Sequence, residues 1–259
     1  MNSQKKIALI TGTSSGIGLE FARIFAREGY DLVLVARSEG RLNEIAGELK
    51  RSYGAQSRIM PKDLTIPSAP NAIFSELQAV EALVNSAGFA TYGRFAEIDP
   101  KKELEMMQVN MVALTHLTKL FLPPMLQRGS GKILNVASTA AFQPGPLMAV
   151  YYATKAYVLS FSEALAQEVR GQGVTVTALC PGPTASGFQK RADMERSKLV
   201  QSGLLDARAV AEAGYRGLMQ GKTSVVPGLR NQVLALAARF IPRATAARLA
   251  MNAQGEVGD

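Results

Sequence analysis

Residues 151–155 read YYATK, so one lysine follows Tyr151 by four positions and Tyr152 by three. A free phenol has a pKa near ~10 and is a poor base at neutral pH, but a nearby ammonium favours the phenolate. A tyrosine paired in this way could exchange a proton with a carbonyl or alcohol oxygen. Positions i+3 and i+4 both lie on one side of a helix, so spacing alone leaves both tyrosines as candidates.

A second segment with a possible chemical role is the glycine-rich TGTSSGIG at 11–18, between a strand pattern and a helix pattern. Its first glycine suits a tight turn, its second a close approach of backbone to pyrophosphate, and its third close helix–strand packing. The first amides of the helix would face the phosphates, and the serines could add hydroxyl donors. The segment therefore predicts a dinucleotide site, although its spacing is GxxxGxG and not the commoner GxGxxG. The predicted contacts are Gly12, Ser14, Ser15, Gly16, Ile17 and Gly18.

The end of the second strand pattern bears on the choice of nucleotide. Folds that prefer NAD usually place an Asp or Glu there, which accepts from the ribose hydroxyls of the adenosine. This chain has Ala36 followed by Arg37. With no carboxylate to repel a 2′-phosphate and a guanidinium able to grip it, the sequence favours NADP(H) over NAD(H). The alternative is that Arg37 is an ordinary surface residue before a helix.

Strand-length apolar runs alternate with helix-length amphipathic segments along the chain. Apolar runs buried on both faces indicate a parallel sheet covered by helices on each side. We expect one α/β domain, 1–259, with a doubly wound parallel sheet of about seven strands. The predicted strands span 6–11, 31–36, 57–60, 82–85, 132–138, 174–180 and 223–227. The predicted helices span 17–28, 39–53, 68–79, 101–122 (stopped by Pro123 and Pro124), 151–170, 231–241 and 244–251.

Composition argues against several classes of protein. Hydrophobic residues make up 47% and charged residues 19%, and no apolar run approaches the ~18–20 residues that span a bilayer. The N-terminus predicts no secretory signal, and the single cysteine, Cys180, cannot form an internal disulfide. We therefore expect a cytoplasmic protein in which Cys180 is an inert buried thiol. His116 is the only histidine and no Cys/His cluster is present, so no metal site is predicted.

The formal net charge of +8 is unevenly distributed. No acidic residue occurs from Ala213 to Gly255, whereas six basic residues do. We interpret this stretch as a solvated basic face; the alternative is a surface for an anionic partner. No zinc-finger, homeodomain or RNA-recognition signature accompanies the charge, so no nucleic-acid partner is predicted. The six residues are Arg216, Lys222, Arg230, Arg239, Arg243 and Arg248.

Taken in order, these and further motifs resemble the short-chain dehydrogenase/reductase family over roughly residues 5–228. The resemblance implies a Rossmann-type fold and hydride transfer between a nicotinamide and a carbonyl or secondary alcohol. The patterns DLVLVARSEGRLNEIA and VVPG…IPR are similar to an NADP-preferring bacterial branch related to hydroxysteroid and ketoacyl reductases. The motifs are TGTSSGIG, DL (63–64), NSAG (85–88, with Ser86 for the usual second Asn), Asn110, Ser138, YYATK and PG (181–182).

The resemblance also implies which residues act. The family pattern YxxxK selects Tyr151 as the general acid/base, with Lys155 on the nicotinamide ribose. Ser138 would polarise the substrate oxygen, and Asn110 would order a water relay. In reduction, NADPH would deliver hydride to the carbonyl carbon while Tyr151 gives the proton. Tyr152 is expected to pack against an adjoining helix or subunit.

The remaining implied contacts follow the carboxyl ends of later strands. Asp63 would accept from the adenine amino group, and Asn85 would stabilise the central sheet. Ser186 stands where the family often has a threonine that contacts the nicotinamide carboxamide. The other implied cofactor contacts are Leu64, Ala87, Gly88, Pro181, Gly182 and Thr184.

The substrate is expected over the nicotinamide, under a lid region at 187–220 whose first part, 187–205, covers it. Candidates for an apolar wall are Phe89, Phe142, Met148 and Phe188. Nothing in the sequence separates a steroid, a ketoacyl thioester, a sugar or a small aldehyde. A non-catalytic NADP(H)-sensing protein on the same fold is the alternative, but such proteins often lose the tyrosine or lysine that this chain retains.

Two expectations concern surfaces. The family tendency favours a homodimer or homotetramer that uses the helices 101–122 and 151–170. In the C-terminal helical extension, 229–259, Val233, Leu236, Ala237 and Phe240 follow helical spacing. They could close the substrate pocket, dock on a second subunit or rest on an anionic membrane surface. We favour docking within the protein.

Overall fold

Seven parallel strands form one sheet in the order β3-β2-β1-β4-β5-β6-β7 in the computed structural model, which describes residues 5–188, 192, 194, 197–201 and 203–255. The predicted doubly wound α/β domain is confirmed, and most strand ends lie within two residues of their predicted positions. The strands are β1 (Ile7–Thr11), β2 (Asp31–Ala36), β3 (Ser57–Pro61), β4 (Ala82–Asn85), β5 (Gly131–Val136), β6 (Val174–Leu179) and β7 (Ser224–Val225).

Helices cover both faces of this sheet. Successive residues of one strand face opposite layers, so that Ile10 enters one core and Leu9 the other, which explains why the strands are apolar throughout. The helices are α1 (Gly16–Arg27), α2 (Glu39–Tyr53), α3 (Ala69–Leu77), α4 (Pro100–Met107), α5 (Leu114–Arg128), α6 (Ala149–Glu168), α7 (Lys198–Gln201), α8 (Ala207–Met219), α9 (Leu229–Ala237) and α10 (Arg243–Gln254).

The order of strands reverses at β1, whose neighbours are β2 and β4. In open parallel sheets, ligands bind in the crevice outside the carboxyl ends of the strands at such a point. The Thr11 hydroxyl at the end of β1 accepts hydrogen bonds from the amides of Ser86 and Ala87, each at 3.0 Å. These bonds hold the two loops that flank the crevice together.

The predicted helix 101–122 is wrong in two respects. A π-helical turn, Gln108–Ala113, separates α4 from α5, and Pro123 and Pro124 lie inside α5, which continues to Arg128. A proline inside a helix destabilises it by about 3 kcal/mol. The same helix buries Leu114, Leu117, Phe121 and Met125, and each such side chain stabilises by roughly 1.5–3 kcal/mol, so the four together exceed the cost of the two prolines. Burial therefore outweighs the local preference of the proline pair.

The C-terminal helices depart from expectation in what they expose. The predicted stripe, including Val233, Leu236 and Phe240, was expected to dock within the protein, and the structure leaves these side chains in solvent. Small residues make the contact instead, because Ala235 of α9 and Ala246 and Ala250 of α10 are buried. Among the described residues, no helix is long and apolar enough to cross a membrane.

Candidate active site

A cavity of about 680 Å³ opens at the carboxyl edge of the sheet, where the glycine-rich loop, α6 and α9 meet. It is lined by residues from Gly12 to Ala238 and brings together most of the predicted cofactor and catalytic residues. Those that line it are Gly12, Ser14, Ser15, Gly16, Ile17, Gly18, Arg37, Asp63, Leu64, Ala87, Gly88, Ser138, Tyr151, Lys155, Pro181, Gly182, Thr184 and Ser186.

The glycine-rich loop has the shape of a phosphate cradle. Gly12 and Gly16 have φ of 73° and 58°, a region that side chains rarely allow. A Cβ at position 12 would lie 2.8 Å from the Ala87 backbone, and one at position 16 would lie 2.8 Å from Cβ of Ser186. The Ser15 side chain does not cap α1, and the first turn of α1 carries no acid. Its amides are therefore free to donate hydrogen bonds to a phosphate, and the loop fits a dinucleotide.

Basic groups surround the far end of the cavity, beyond the cradle. Arg37 is exposed and lines the cavity, as does Lys62. Arg41 donates from Nε to the Ser14 carbonyl at 3.3 Å. The Asp63 carboxylate accepts from the amide and the hydroxyl of the residue two positions later, both at 2.9 Å, which fixes it at the cavity wall. An anionic group at this end would meet positive potential.

Ser138, Tyr151 and Lys155 converge on the opposite end of the cavity. Ser138 follows β5 and begins a 3₁₀ turn, with its Oγ accepting from the amide of Ala140 at 3.1 Å. Tyr151 and Lys155 lie in the first turns of α6, and both are buried. The Lys155 Nζ donates to the Val136 carbonyl at 2.8 Å and lies 5.7 Å from the centre of the Tyr151 ring.

The electrostatics of this cluster differ from the expectation that Lys155 makes Tyr151 more acidic. Burial raises the pKa of the Tyr151 phenol well above its usual value, and the hydrogen bond with Ser138 lowers it only in part. Burial also lowers the pKa of Lys155 from 10.5 to about 8. Within the protein alone, the cost of desolvating a charge outweighs the attraction of the pair. Tyr151 is thus protonated at neutral pH, as a proton donor must be.

Asn110 lies behind this cluster and outside the residues that line the cavity. It sits in the π-helical turn, a feature often found at functional sites. Its Oδ1 accepts from the Phe89 amide at 3.2 Å, and its Nδ2 donates to the Phe89 carbonyl at 3.0 Å and to the Thr154 hydroxyl at 3.2 Å. A Cβ at Gly88 would come within 3.0 Å of Asn110 Oδ1 and 3.6 Å of Lys155 Nζ. The predicted water relay stays a prediction.

Asn85 is the one predicted cofactor residue of the NSAG segment that stays away from the cavity. Its side chain is buried, and its Nδ2 donates to Asn135 Oδ1 at 2.9 Å and to the Thr118 hydroxyl at 3.2 Å. These bonds tie β4 to β5 and α5. Its amide therefore serves the sheet, the role that the resemblance implied for it, and the predicted contact of Asn85 with the cofactor stays a prediction.

A model of the short chain dehydrogenase family matches residues 6–197, which is more than half of the chain. The chain belongs to this family. Proteins of similar sequence and structure carry oxidoreductase names, so this chain is a short-chain dehydrogenase and an oxidoreductase.

Three similar proteins bear on the cofactor and the chemistry. The ketoacyl reductase HetN of Nostoc sp. is 31% identical over 226 residues, which cover 85% of this chain and 78% of that protein. A short-chain dehydrogenase from Sphingobium yanoikuyae in complex with NADPH is 32% identical, with a TM-score of 0.83 over 93% of this chain and 98% of that one. A relative from Burkholderia phymatum in complex with NAD is 25% identical, with a TM-score of 0.80 over 91% and 93%. A nicotinamide cofactor is therefore supported.

The second tyrosine of the YYATK segment has a structural partner in this short-chain dehydrogenase. The Tyr152 ring packs against Gly145, and its hydroxyl accepts from Gln254 Nε2 of α10 at 2.9 Å. The Tyr92 hydroxyl donates to the Gln254 carbonyl at 2.5 Å. The prediction that Tyr152 packs against an adjoining helix is confirmed. No local motif pointed to Gln254, because the contact joins residues 102 positions apart.

The loop after β6 brings further residues to the site. Ser138 Oγ donates to the Pro181 carbonyl at 3.4 Å, and Ser186 Oγ donates to the Thr184 carbonyl at 3.3 Å. A Cβ at Gly182 would lie 2.7 Å from Nδ2 of Asn231, the α9 residue that packs on this loop. Sequence reasoning missed Asn231, since no local motif marks a helix that docks from 49 residues downstream.

The four apolar residues suggested as a substrate wall all line the cavity. Phe188 also packs on the Tyr151 ring at 5.4 Å between ring centres. The predicted lid lies partly outside the described residues, which omit 189–191, 193, 195, 196 and 202. Of its described residues, Gly187, Met194, Gly203 and Leu205 line the cavity.

The sequence analysis predicted no catalytic role for Cys180 or His116, and the structure shows where both residues lie. Cys180 is fully buried, and burial raises the pKa of its thiol to about 12, so the thiolate is absent at neutral pH. His116 lies on α5, half-buried and away from the cavity lining. Over the described parts of the chain, no group of three or more His, Cys, Asp and Glu side chains could hold a metal ion.

Proposed function

We propose that this short-chain dehydrogenase interconverts a carbonyl and a secondary alcohol with NADP(H), and that Tyr151 exchanges the proton. One observation carries the proposal. Ser138, Tyr151 and Lys155 meet on the wall of the same cavity onto which the phosphate cradle opens. Between the phosphate cradle and the Tyr151 phenol, the cavity wall is made of residues that a bound dinucleotide would contact.

Each side chain has a defined task in carbonyl reduction. The buried Tyr151 phenol donates its proton to the carbonyl oxygen, and Ser138 donates a hydrogen bond to the same oxygen and polarises it. Gly12 and Gly16 of the glycine-rich loop would hold the phosphates of NADPH, which would supply the hydride for the carbonyl carbon. Lys155, held by the Val136 carbonyl, places a positive charge beneath Tyr151 that offsets the charge left on the phenol. The reverse order of proton movement serves alcohol oxidation.

The substrate we propose is an apolar carbonyl compound. Phe89, Phe142, Met148 and Phe188 form the wall next to Tyr151, and apolar walls recognise substrates by shape and buried area. The test is NADPH oxidation across matched ketones, aldehydes and acyl thioesters of increasing chain length. Turnover that rises with apolar size supports the proposal. Absence of turnover with the whole panel, while NADPH still binds, would favour a cofactor-sensing protein instead.

The preference for NADP(H) is proposed from Arg37, which is exposed at the cavity edge where NAD-preferring folds carry a carboxylate. Replacing Arg37 by aspartate should lower kcat/KM for NADPH by about 100-fold, because a charge-assisted hydrogen bond is worth roughly 1.5–3 kcal/mol and repulsion replaces it. Activity with NADH should stay the same or rise. The control is Arg51→Asp, which removes an exposed charge from the far end of α2. Equal affinity of the wild type for both nucleotides would end the claim.

Self-association through α4, α5 and α6 is also proposed. These helices and the π-helical turn between α4 and α5 leave large apolar side chains in solvent, including Leu104, Val112 and Tyr157. Tyr157 stacks on Phe161 and shares a 2.9 Å hydrogen bond with Thr115, which links α5 to α6. Exposed apolar area of this kind marks interaction surfaces.

The test of self-association is sedimentation velocity. Val112→Asp should shift the protein to a smaller species, because a buried unpaired charge opposes association. Ile66→Asp, an exposed apolar position outside these helices, is the matched control and should leave the mass unchanged. A monomeric wild type would contradict the proposal.

A further inference from the structure

An apolar stripe on the outside of α9 is the least expected feature of the surface. Leu229, Val233 and Leu236 recur at i, i+4 and i+7 of α9, which places them within about 60° of one another around the helix, and Phe240 follows in the turn after Ala237. Their exposed fractions run from 57% to 81%. The buried side of α9 holds Ala235. A helix that docks by its small residues and presents its large apolar ones to solvent reverses the usual amphipathic arrangement.

Cations flank this stripe, and acids are missing. Arg230 lies on α9, about 100° around the helix from Leu229, and Arg239 lies in the turn that follows α9, next to Phe240. Arg243 and Arg248 follow on α10, and all four are exposed. Among the described residues, no carboxylate forms an ion pair with any of them, and the sequence from Ala213 to Gly255 contains none. We call the stripe with these four arginines the C-terminal face.

The C-terminal face adjoins the mouth of the active-site cavity. Leu229, Arg230 and Leu234 belong to the cavity lining while remaining exposed. On the protein side, Asn231 packs against the loop after β6, so that α9 is anchored at the cavity rim. An apolar molecule leaving the C-terminal face would meet the cavity without crossing open solvent.

We propose that the C-terminal face lies on the surface of an anionic lipid bilayer. Exposed arginines that neighbour exposed Leu, Val and Phe side chains along the chain match the interfacial boundary, where acyl chains meet anionic headgroups. With nine residues, α9 is about 13 Å long and would lie in the plane of the surface. The inference goes beyond the oxidoreductase activity, and binding to lipid can be measured without turnover.

A second copy of the chain fits the C-terminal face less well. A two-fold interface joins the same patch of both copies, so Arg230, Arg239 and their symmetry mates would face one another. The face carries no acid to pair with them. Like charges brought together across an interface oppose association, whereas anionic headgroups neutralise them.

Flotation with large unilamellar vesicles tests the proposal. The wild type should float with vesicles that contain phosphatidylcholine and phosphatidylglycerol, and should bind pure phosphatidylcholine much more weakly. Val233→Ser with Phe240→Ser should abolish flotation. Arg239→Gln with Arg243→Gln should weaken binding about 25-fold, because each basic residue near an anionic surface contributes about fivefold. Raised salt should weaken the wild type in the same direction.

Matched control variants remove the same number of exposed apolar side chains, or of exposed charges, elsewhere on the surface. Ile66→Ser with Phe95→Ser removes two exposed apolar side chains, and Lys50→Gln with Arg51→Gln removes two exposed charges from α2. Both pairs should float like the wild type. If they lose binding as much as the C-terminal variants do, the attraction belongs to the whole surface and the proposal is wrong.

A tryptophan at position 240 distinguishes insertion into lipid from contact between copies. The chain has no tryptophan, so Phe240→Trp gives a single emitter. Its emission should shift to the blue on adding anionic vesicles and should be quenched by brominated acyl chains. A blue-shifted spectrum without lipid, in a dimer that Phe240→Ser dissociates, would assign the face to self-association and overturn the proposal. No flotation of the wild type would do the same.

Discussion

Replacing Tyr151 by phenylalanine is expected to lower kcat by about 10²–10⁴-fold, the range that general acid catalysis contributes. The variant keeps the ring that packs on Phe188, so the fold and the cofactor cradle should survive. Among the described residues, Tyr151 is the only tyrosine whose phenol lies on the cavity wall beside both Ser138 and Lys155, and the variant loses this hydroxyl. Steady-state rates with a ketone and NADPH, together with NADPH titration, separate loss of chemistry from loss of binding.

Tyr152→Phe is the control for this experiment, because it removes the same hydroxyl from the neighbouring residue. The hydroxyl of Tyr152 is held by Gln254, so its loss should lower the free energy of unfolding by about 1 kcal/mol. The rate should change only a few-fold. Loss of turnover in Tyr152→Phe with full activity in Tyr151→Phe would reverse the assignment of the two tyrosines.

Lys155→Met is expected to stabilise the protein while it removes most of the activity. Burial lowers the pKa of Lys155 from 10.5 to about 8, which means that the folded state holds the ammonium at a cost. This difference corresponds to roughly 3 kcal/mol at neutral pH. In the methionine variant the buried Val136 carbonyl loses its donor, which costs about 1 kcal/mol, so the variant should be more stable by about 2 kcal/mol. Such trade-offs of stability for activity are common at active sites.

The stability difference between Lys155→Met and the wild type should change with pH in a defined direction. A lysine whose pKa is lowered on folding destabilises the native state fully below about pH 8, and the penalty fades as the pH rises toward 10.5. Urea unfolding of both proteins should therefore show a larger gap at pH 7 than at pH 9. A variant less stable than the wild type at pH 7 would show that the ammonium is stabilised by more than the Val136 carbonyl.

The sheet and the cradle could be predicted because their signals are local and redundant. Apolar runs such as DLVLVA fill both faces of a strand, and the glycines of TGTSSGIG are required wherever a backbone meets a phosphate. The role of Tyr151 over Tyr152 could not be decided by helical spacing and required the family pattern. In the structure the two differ by their surroundings, since Tyr151 faces Ser138 and Tyr152 faces Gln254.

The features that were missed depend on contacts between distant parts of the chain. No Gly or Pro marks the π-helical turn at 108–113, and the proline pair at 123 and 124 argues against the helix that contains it. The pKa of Tyr151 follows from burial by Met148, Phe188 and their neighbours, which no motif encodes. The outward stripe on α9 carries the same periodicity as a docked one, so the sequence alone could not tell which side the protein covers.

The placement of α9 and α10 has a bearing on how such enzymes diverge. Both helices follow the stretch matched by the family model, which ends at residue 197, yet Asn231 touches the Pro-Gly loop and Gln254 holds Tyr152. The residues proposed for proton transfer and the rim of their pocket thus lie in separate parts of the chain. Substitutions confined to the last quarter of the chain are therefore expected to change which molecule enters while Ser138, Tyr151 and Lys155 stay where they are.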